Sequence, residues 1–335
     1  MDQKTKILIF LNRHSPTGGR ELREHLDISR QALSAHLRQL IASGEVVKSG
    51  STRAARYSLA SHAPAPLVVR RDLALADLDE AEVYDELALS TGLRRQLRAN
   101  VEAVLRYAFT EILNNAIDHS EAGRCKVEFR LDAGAASFEV RDRGIGLFHS
   151  IASKLALPDE QVAMLELLKG KTTTMKERHT GEGLFFTSKV ADRFVIESHR
   201  IRIDWNKAQN DVFVSARRLL RGTRVRFLVR SGTRRRIETV FGEFAPEAYD
   251  YQFQKTRVLV KLLQADYVSR SEAKRLLANL DRFREVVLDF TDVNSIGQGF
   301  ADEVLRVFPR HHPGTRILTE NANPVVAAML RHTGR

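Results

Sequence analysis

Apolar residues between positions 101 and 116 recur every three or four residues, which predicts an amphipathic helix. The apolar positions are Val101, Val104, Leu105, Ala108, Ile112 and Ala116. At about 100° per residue, Glu111, Asn115 and Asp118 fall within roughly 60° of one another on one face. Asn115 can offer a carbonyl oxygen to Mg²⁺, and Glu111 can orient and deprotonate a nucleophile. Taken alone, these residues also fit a solvated polar face.

A second motif follows a predicted strand. Apolar and polar residues alternate over 137–142, and the strand ends at Asp142. Gly144 and Gly146 come next, and glycine lets the backbone turn sharply and approach a ligand closely. A carboxylate at such a strand end can accept a hydrogen bond from an adenine amino group. An ordinary strand-to-loop turn is the alternative for this motif alone.

A third motif precedes a predicted helix over residues 184–192. Gly181 and Gly183 stand just before it, where glycines expose backbone N–H groups at the positive end of a helix. That arrangement favours phosphate binding, with Leu184 at the start of the helix. A glycine-rich helix start without a ligand is the simpler alternative.

Together and in this order, the three motifs resemble those of the GHKL ATPases. This group includes gyrase, the heat-shock chaperone, histidine kinases and the mismatch-repair ATPases, and the resemblance spans about residues 95–230. It implies a two-layer α/β sandwich that binds ATP and Mg²⁺, with a lid over residues 147–180. Gly170 and the Lys-Thr pair after it imitate the end of a P-loop, but Leu165 stands where that motif needs glycine.

The resemblance also implies a role for each matching residue. Glu111 would be the general base, Asn115 the Mg²⁺ ligand, and Asp118 a neighbour of the nucleoside. Asp142 would bind adenine. The remaining cofactor-binding positions would be Gly144 and Gly146 beneath the base, Gly181, Gly183 and Leu184 at the phosphates, and Thr223 beside the adenine.

The first 60 residues predict three short helices and a hairpin, over 4–12, 20–26, 29–43 and 45–59. This order resembles a winged helix-turn-helix of the kind found in many bacterial repressors. The resemblance implies that the outward side chains of the third helix meet base edges and that the hairpin meets a phosphate or the minor groove. The expected DNA-binding residues are Arg30, Gln31, Ser34, Arg38, Arg53 and Arg56. A winged helix that binds only protein is the alternative.

The last 80 residues alternate between apolar strand candidates and helix candidates, which implies an α/β sandwich. The strands are predicted at 257–262, 285–290 and 315–318, and the helices at 271–280, 299–308 and 324–330. Residues 286–300 resemble the STAS fold of anti-sigma-factor antagonists, and more closely a STAS-like domain of unassigned function. Gly297 and Gln298 follow Ile296, in the place of the phosphorylatable serine of the antagonists. We therefore expect a protein-contact or self-association surface.

Charge narrows the choice of partner. The net charge is +11, with ten Lys and Arg against five acids in residues 1–60 and twelve against two in residues 200–236. No basic amphipathic helix accompanies this excess, so a polyanion is favoured over a membrane. Arg224, Arg226 and Arg230 alternate with apolar residues, which places arginines on one strand face. That face is either solvated or a second DNA-contacting surface.

Composition sets outer limits. With 43% hydrophobic and 28% charged residues, the chain can bury ordinary cores. Cys125 is the single cysteine, which excludes disulfides and zinc fingers and fits a reducing compartment. No signal peptide or run of about 18 apolar residues occurs, so we expect a cytoplasmic protein.

The sequence therefore predicts a multidomain α+β protein. Its expected parts are a winged helix-turn-helix (1–60), a linker (61–75), a GHKL two-layer sandwich (76–232), a second linker (233–252) and a STAS-like α/β domain (253–335). We expect a DNA-binding transcriptional regulator whose nucleotide state, with slow ATP hydrolysis, controls binding to duplex DNA or a partner. A homodimer is compatible with this scheme. An anti-sigma-type serine/threonine protein kinase and an ATP-gated DNA clamp are the alternatives.

Overall fold

The computed structural model describes residues 2–49, 55–62, 65–132, 134–170, 182–250, 252–262, 266–267 and 269–333. Three units follow one another along the chain. Each contains helices and a β-sheet, as the sequence predicts.

The N-terminal unit has its own small core. Its helices are α1 (Gln3–Arg13), α2 (Gly19–Leu26) and α3 (Arg30–Ala42), and its strands are β1 (Thr17–Gly18), β2 (Val46–Ser49) and β3 (Arg56–Leu59). Ser29 caps α3, because its hydroxyl accepts a hydrogen bond from the Ala32 N–H at 3.1 Å. The strands form an antiparallel sheet in the order β1-β3-β2. The short β1 was not predicted, since two residues carry no periodicity.

The central unit is built on a five-stranded antiparallel sheet in the order β4-β5-β6-β8-β7. Its strands are β4 (Leu67–Ala74), β5 (Arg124–Leu131), β6 (Ala135–Asp142), β7 (Arg193–Asn206) and β8 (Asp211–Arg230). Side chains alternate across it, so every second residue of β5 and β6 is buried.

Helices cover one face of this sheet. They are α4 (Glu80–Ser90), α5 (Leu93–Gln96), α6 (Ala99–His119), α7 (Leu147–Lys154), α8 (Glu160–Lys169), α9 (Gly183–Val190) and α10 (Ile237–Phe244). The central helix α6 buries the predicted apolar stripe, and Phe109 on it packs edge-on against Phe138 of β6 at 5.3 Å. The apolar stripe therefore orients the polar face of α6 away from the sheet.

Both predicted linkers contain structure. Residues 61–75 include β4, which pairs with β5 as an edge strand of the central sheet. Residues 233–252 include α10, whose Phe241 stacks on Phe186 of α9 at 3.9 Å between ring centroids. The predicted lid region contains the helices α7 and α8. These elements depend on long-range packing, which local patterns do not record.

The C-terminal unit has a parallel three-stranded sheet in the order β13-β11-β9, beside a two-stranded pair, β10-β12. Its strands are β9 (Lys255–Leu259), β10 (Asp266–Tyr267), β11 (Glu285–Asp289), β12 (Ser295–Ile296) and β13 (Arg316–Glu320). Its helices are α11 (Arg270–Leu277), α12 (Gln298–Asp302), α13 (Phe308–His311) and α14 (Pro324–Thr333), with a π-helical turn at Glu303–Val307 between α12 and α13. Parallel strands with intervening helices give the expected α/β sandwich.

A buried polar cluster ties α8 to the C-terminal unit. The Lys169 ammonium donates to Glu166 at 2.8 Å and to the Ala278 carbonyl at 2.9 Å. The other oxygen of Glu166 accepts from Arg282 at 3.0 Å. Burial lowers the pKa of Lys169. Because a buried charge needs its partners, this cluster fixes the position of α8.

None of the helices in the described part of the chain has the length and hydropathy that crossing a bilayer requires.

Candidate nucleotide-binding site

A cleft opens between α6 and the central sheet. It encloses about 420 Å³ of space open to solvent. Most of its wall is apolar, and a few polar groups converge on it. The lining residues are Ile112, Asn115, Ala116, His119, Ser120, Val140, Asp142, Leu147, Leu184, Thr223 and Val225. An apolar slot with a few oriented polar groups is the usual form of a small-molecule site.

Asp142 is the buried acid of this cleft, at 5% exposure. Its Oδ1 accepts hydrogen bonds from the backbone N–H of Gly144 at 2.8 Å and of Thr223 at 3.1 Å. Burial raises the pKa of Asp142, and these backbone hydrogen bonds act in the opposite direction. Both bonds use the same oxygen, so Oδ2 can accept a hydrogen bond from a ligand in the cleft.

The turn after Asp142 is built on two glycines. A Cβ at Gly144 would overlap the carbonyl oxygen of Ser120, which accepts the Ile145 N–H at 2.9 Å. Gly146 has φ +86°, and a Cβ there would lie 2.7 Å from the His199 ring. Only glycine fits at either position, and the loop therefore packs directly onto the end of α6 and onto β7.

The next residue is held by two hydroxyls from the sheet. The Leu147 N–H donates to Ser198 at 3.0 Å and to Thr223 at 2.9 Å. Gly222 stands before Thr223 with φ +79°, and a Cβ on it would lie 2.6 Å from Asp142 Oδ1. The Gly222–Thr223 pair does not open a strand, because β8 begins eleven residues earlier, at Asp211. The pair instead shapes the middle of a long strand around Asp142.

Glu111 and Asn115 lie one turn apart on α6, as predicted. The Asn115 side-chain nitrogen donates to the Glu111 carbonyl at 2.6 Å. This bond orients the amide so that its oxygen is left for a ligand or a cation. A Cβ at Gly183 would overlap the Glu111 carboxylate. The first turn of α9 therefore lies directly against the carboxylate, where phosphate-binding N–H groups would be needed.

Tyr107 lies close to Glu111, at the same end of the cleft. Burial raises the pKa of Tyr107, and the negative charges of Glu111 and Glu182 raise it further. Glu182 is the N-cap of α9. Two carboxylates near a phosphate site would repel a bare polyphosphate, so this end of the cleft suits a phosphate group accompanied by a cation.

The structure brings most of the predicted site residues together. Asn115, Asp142, Leu184 and Thr223 line the cleft, while Gly144 and Gly146 form the turn beneath it. Asp118 lies on α6 outside the lining residues, so its predicted place near the nucleoside remains a prediction. Gly181 and lid residues 171–180 lie outside the described residues.

Three contributors to the cleft were missed from the sequence. Ser198 holds the Leu147 N–H, Ser120 supplies the carbonyl under Gly144, and His199 pairs with Glu160 of α8 at 2.6 Å. No motif indicates Ser198 or His199, since both depend on the register of β7 against β8. Ser120 directly follows the first motif, and that adjacency was the available signal.

The predicted DNA-binding side chains lie on the N-terminal unit. Arg30, Gln31, Ser34 and Arg38 are exposed on α3, opposite the buried Leu33, Leu37 and Leu40. Arg56 on β3 is exposed and lies 3.5 Å from Glu21 of α2. Arg53 falls outside the described residues. Within the described residues, no group of three or more His, Cys, Asp or Glu side chains is placed to hold a metal ion by itself.

Comparison with known families agrees with this geometry. Residues 100–233 match the family model of the histidine kinase-, DNA gyrase B- and HSP90-like ATPases. Residues 272–327 match the model of a STAS-like domain of unknown function. Among curated proteins, no match to the chain was found. The expected GHKL-type ATPase domain and STAS-like domain are confirmed, whereas the winged-helix assignment of residues 1–60 stays a prediction.

Proposed function

We propose that this protein is an ATP-responsive, DNA-binding transcriptional regulator. The observation that carries the proposal is the oriented acid of the cleft. Asp142 lines an apolar slot, and its Oδ1 is held by two backbone N–H groups, which leaves Oδ2 to accept a hydrogen bond from a ligand. A fixed acceptor against apolar walls suits an adenine ring, which presents one amino donor and two flat apolar faces.

The phosphate end is assigned to α6 and α9. Asn115 offers its side-chain oxygen to Mg²⁺, which would neutralise phosphate charge when bound. The N-terminus of α9 offers N–H groups to the phosphates. Glu111, packed against Gly183, is the residue that would orient water and accept its proton during hydrolysis.

DNA recognition is assigned to α3. Its exposed face carries Arg30, Gln31 and Arg38, and α3 follows α2 after the short turn at 27–29, the arrangement expected of a helix-turn-helix. A recognition helix of this kind lies in the major groove, with arginine and glutamine suited to guanine and adenine edges. β2 and β3 would form the wing.

A conformational change caused by nucleotide binding can be transmitted to the other two units through short connections. Phe185 of α9 lies 4.5 Å from Phe253, and α8 is fixed by the Glu166–Lys169–Arg282 cluster. Residues 60–66 alone separate β3 from β4, the edge strand of the ATPase sheet. A change at α8 or α9 would therefore act on the STAS-like domain, and movement of the central sheet on the DNA reader.

The first test is DNA selection from genomic fragments, followed by sequencing, with and without ATP. We expect a common sequence among the selected fragments. Replacing Arg30, Gln31 and Arg38 together with alanine should weaken binding to that sequence by at least about 10-fold, because one good base contact contributes about 1–3 kcal/mol.

The matched control replaces Lys6, Asn12 and Arg13 with alanine. These residues are also exposed on the N-terminal unit, and their loss removes the same charge. The control should keep the selected sequence. If both triple variants bound it equally well, α3 would not be the reader.

A further inference from the structure

The face of the ATPase sheet opposite its helices is open and strongly basic. Strand registers place alternate residues of β4 to β8 on this face. Its basic members are Arg70, Arg124, Lys126, Arg130, Arg141, Arg193, Arg224, Arg226 and Arg230, and its acidic members on these registers are Asp72, Glu128, Glu139 and Glu197. Most of these cations pair with nearby acids, such as Arg70 with Glu128, Arg193 with Asp204 and Arg224 with Glu139. The unpaired positive charge of the face therefore lies at the few cations that have no such partner among the described residues.

A broad concavity at one end of this face concentrates the excess. It encloses about 1100 Å³ of space open to solvent, and five of its ten lining residues are Arg or Lys. One acid of its wall, Asp72, is occupied by Arg124 at 2.8 Å. The other is Glu121, on the loop after α6. The wall therefore carries a surplus of positive charge.

Among the residues that the structure describes, four cations of this concavity have no acidic partner. Lys126, Arg141, Arg143 and Arg221 make no ion pair with any described residue. The Nε of Arg141 is buried, and no described group accepts a hydrogen bond from it. Buried donors without acceptors are costly, so a ligand that supplies anionic oxygens would bind here favourably.

A second basic cluster lies on the β7–β8 side of the same face. The Glu197 carboxylate, 8% exposed, lies 2.9 Å from Arg202, 3.0 Å from Arg217 and 3.2 Å from Arg226. Arg224 is 3.7 Å from the same oxygen that Arg226 contacts, Oε2, whereas Arg202 and Arg217 contact Oε1. Arg202 and Arg224 also pair with Asp204 and Glu139, so the four guanidinium groups outnumber the three acids that they contact by one. This cluster, like the concavity, suits an anion.

Strand pairing makes the two clusters continuous. Lys126 is opposite Arg141 on the next strand, and Arg141 is opposite Arg224 on the one after. Neighbouring strands are about 4.8 Å apart, so three cations span roughly 10 Å in one row. A ligand that satisfies the whole row must carry several separated negative charges, as a phosphodiester backbone does.

The N-terminal unit touches the opposite end of this sheet. A Cβ at Gly134, in the β5–β6 turn, would lie 3.6 Å from the Lys48 carbonyl oxygen of β2. The concavity is about eight strand residues from that turn, which is about 26 Å. This is less than one helical turn of DNA, roughly 34–36 Å, so one duplex can reach both places.

We propose that the open face of the ATPase sheet binds the phosphate backbone of duplex DNA, with Lys126, Arg141, Arg143 and Arg221 as its principal contacts. The proposal rests on the proposed function in taking DNA as the polymer. It adds a contact that carries no sequence information and extends the bound length of DNA beyond the segment read by α3.

The test is the salt dependence of affinity for a duplex without the selected sequence, using the full-length chain. Replacing Lys126, Arg141, Arg143 and Arg221 with glutamine should reduce the slope of log affinity against log salt by about 3 to 4, because each phosphate contact contributes about 0.9. The control replaces Lys154, Lys274, Arg310 and Arg331, exposed cations on other surfaces, and removes the same charge. Its slope should change by less than about 1.

Replacing only the exposed Lys126 and Arg221 tests the proposal if the fourfold variant does not fold. That pair should reduce the slope by about 2. Slopes equal to the control's in either variant would overturn the proposal while leaving recognition by α3 intact. A reduced slope in the variants of the sheet face would support this surface as a DNA contact. If the Arg30, Gln31 and Arg38 variant also kept its sequence preference, α3 would not be the reader.

Discussion

Glu111→Gln is expected to bind ATP but hydrolyse it at least about 10²-fold more slowly than the wild type, the usual effect of losing a general base. Glutamine keeps the shape that packs against Gly183, so the loss would arise from the missing basic oxygen. Steady-state phosphate release, measured with saturating ATP and Mg²⁺, gives the comparison.

Glu102→Gln is the matched control for this change. Glu102 lies on the same helix, away from the cleft, and its carboxylate is 3.8 Å from Arg94. It should turn over ATP at the wild-type rate. Equal turnover in Glu111→Gln and the wild type would remove Glu111 from catalysis.

The second large effect concerns adenine binding. Asp142→Asn should weaken ATP binding by roughly 10- to 100-fold, because a hydrogen bond to a charged acceptor contributes about 1.5–3 kcal/mol. The asparagine oxygen can still accept from Gly144 and Thr223, which leaves its NH₂ group to face the adenine amino group. Two donors would then oppose each other. Calorimetric titration with a non-hydrolysable ATP analogue measures the change.

Asp132→Asn serves as its control. Asp132 also accepts two backbone N–H groups on one oxygen, from Gly134 at 3.0 Å and Ala135 at 2.8 Å. It lies at the β5–β6 turn, at the other end of β6 from Asp142. Its substitution should not alter nucleotide affinity. Matching losses in the two variants would mean that the Asp142 effect is a general weakening of the fold.

Local patterns were enough to predict the elements that carry the motifs. The apolar stripe of α6 continues from Val101 to Ala116, and β6 alternates to Asp142, so both were assigned close to their observed bounds. The order of the motifs then implied the family, which the comparison with residues 100–233 confirms.

The missed elements are those that depend on distant partners. β4 is a half-exposed edge strand whose place is set by pairing with β5, 50 or more residues away. The first turn of α10 follows a run of three arginines, and the helix is held by Phe241 and Phe244 against α9. Neither segment has a strong enough periodicity to be recognised before its partner is placed.

The motif residues of the site could be predicted from the sequence, whereas the residues that hold them in place could not. Asp142, Gly144 and Gly146 are adjacent in sequence and could be identified together. Ser198 contributes to the same turn from β7, and its position depends on the irregular β7–β8 register near His199. Long-range pairing of this kind is not encoded in any short segment.

In an ATP-responsive regulator, the nucleotide site and DNA binding must be coupled. The most direct measurement is a pair of DNA-binding isotherms on the selected sequence, with and without a non-hydrolysable ATP analogue, at saturating Mg²⁺ and fixed salt. The analogue should change the affinity of the wild type for DNA by at least about 5-fold, the lower end of typical coupling between sites, and should leave Asp142→Asn unchanged. Identical isotherms for the wild type under the two conditions would contradict an ATP-responsive DNA-binding function. The ATP site would then have a role separate from DNA binding.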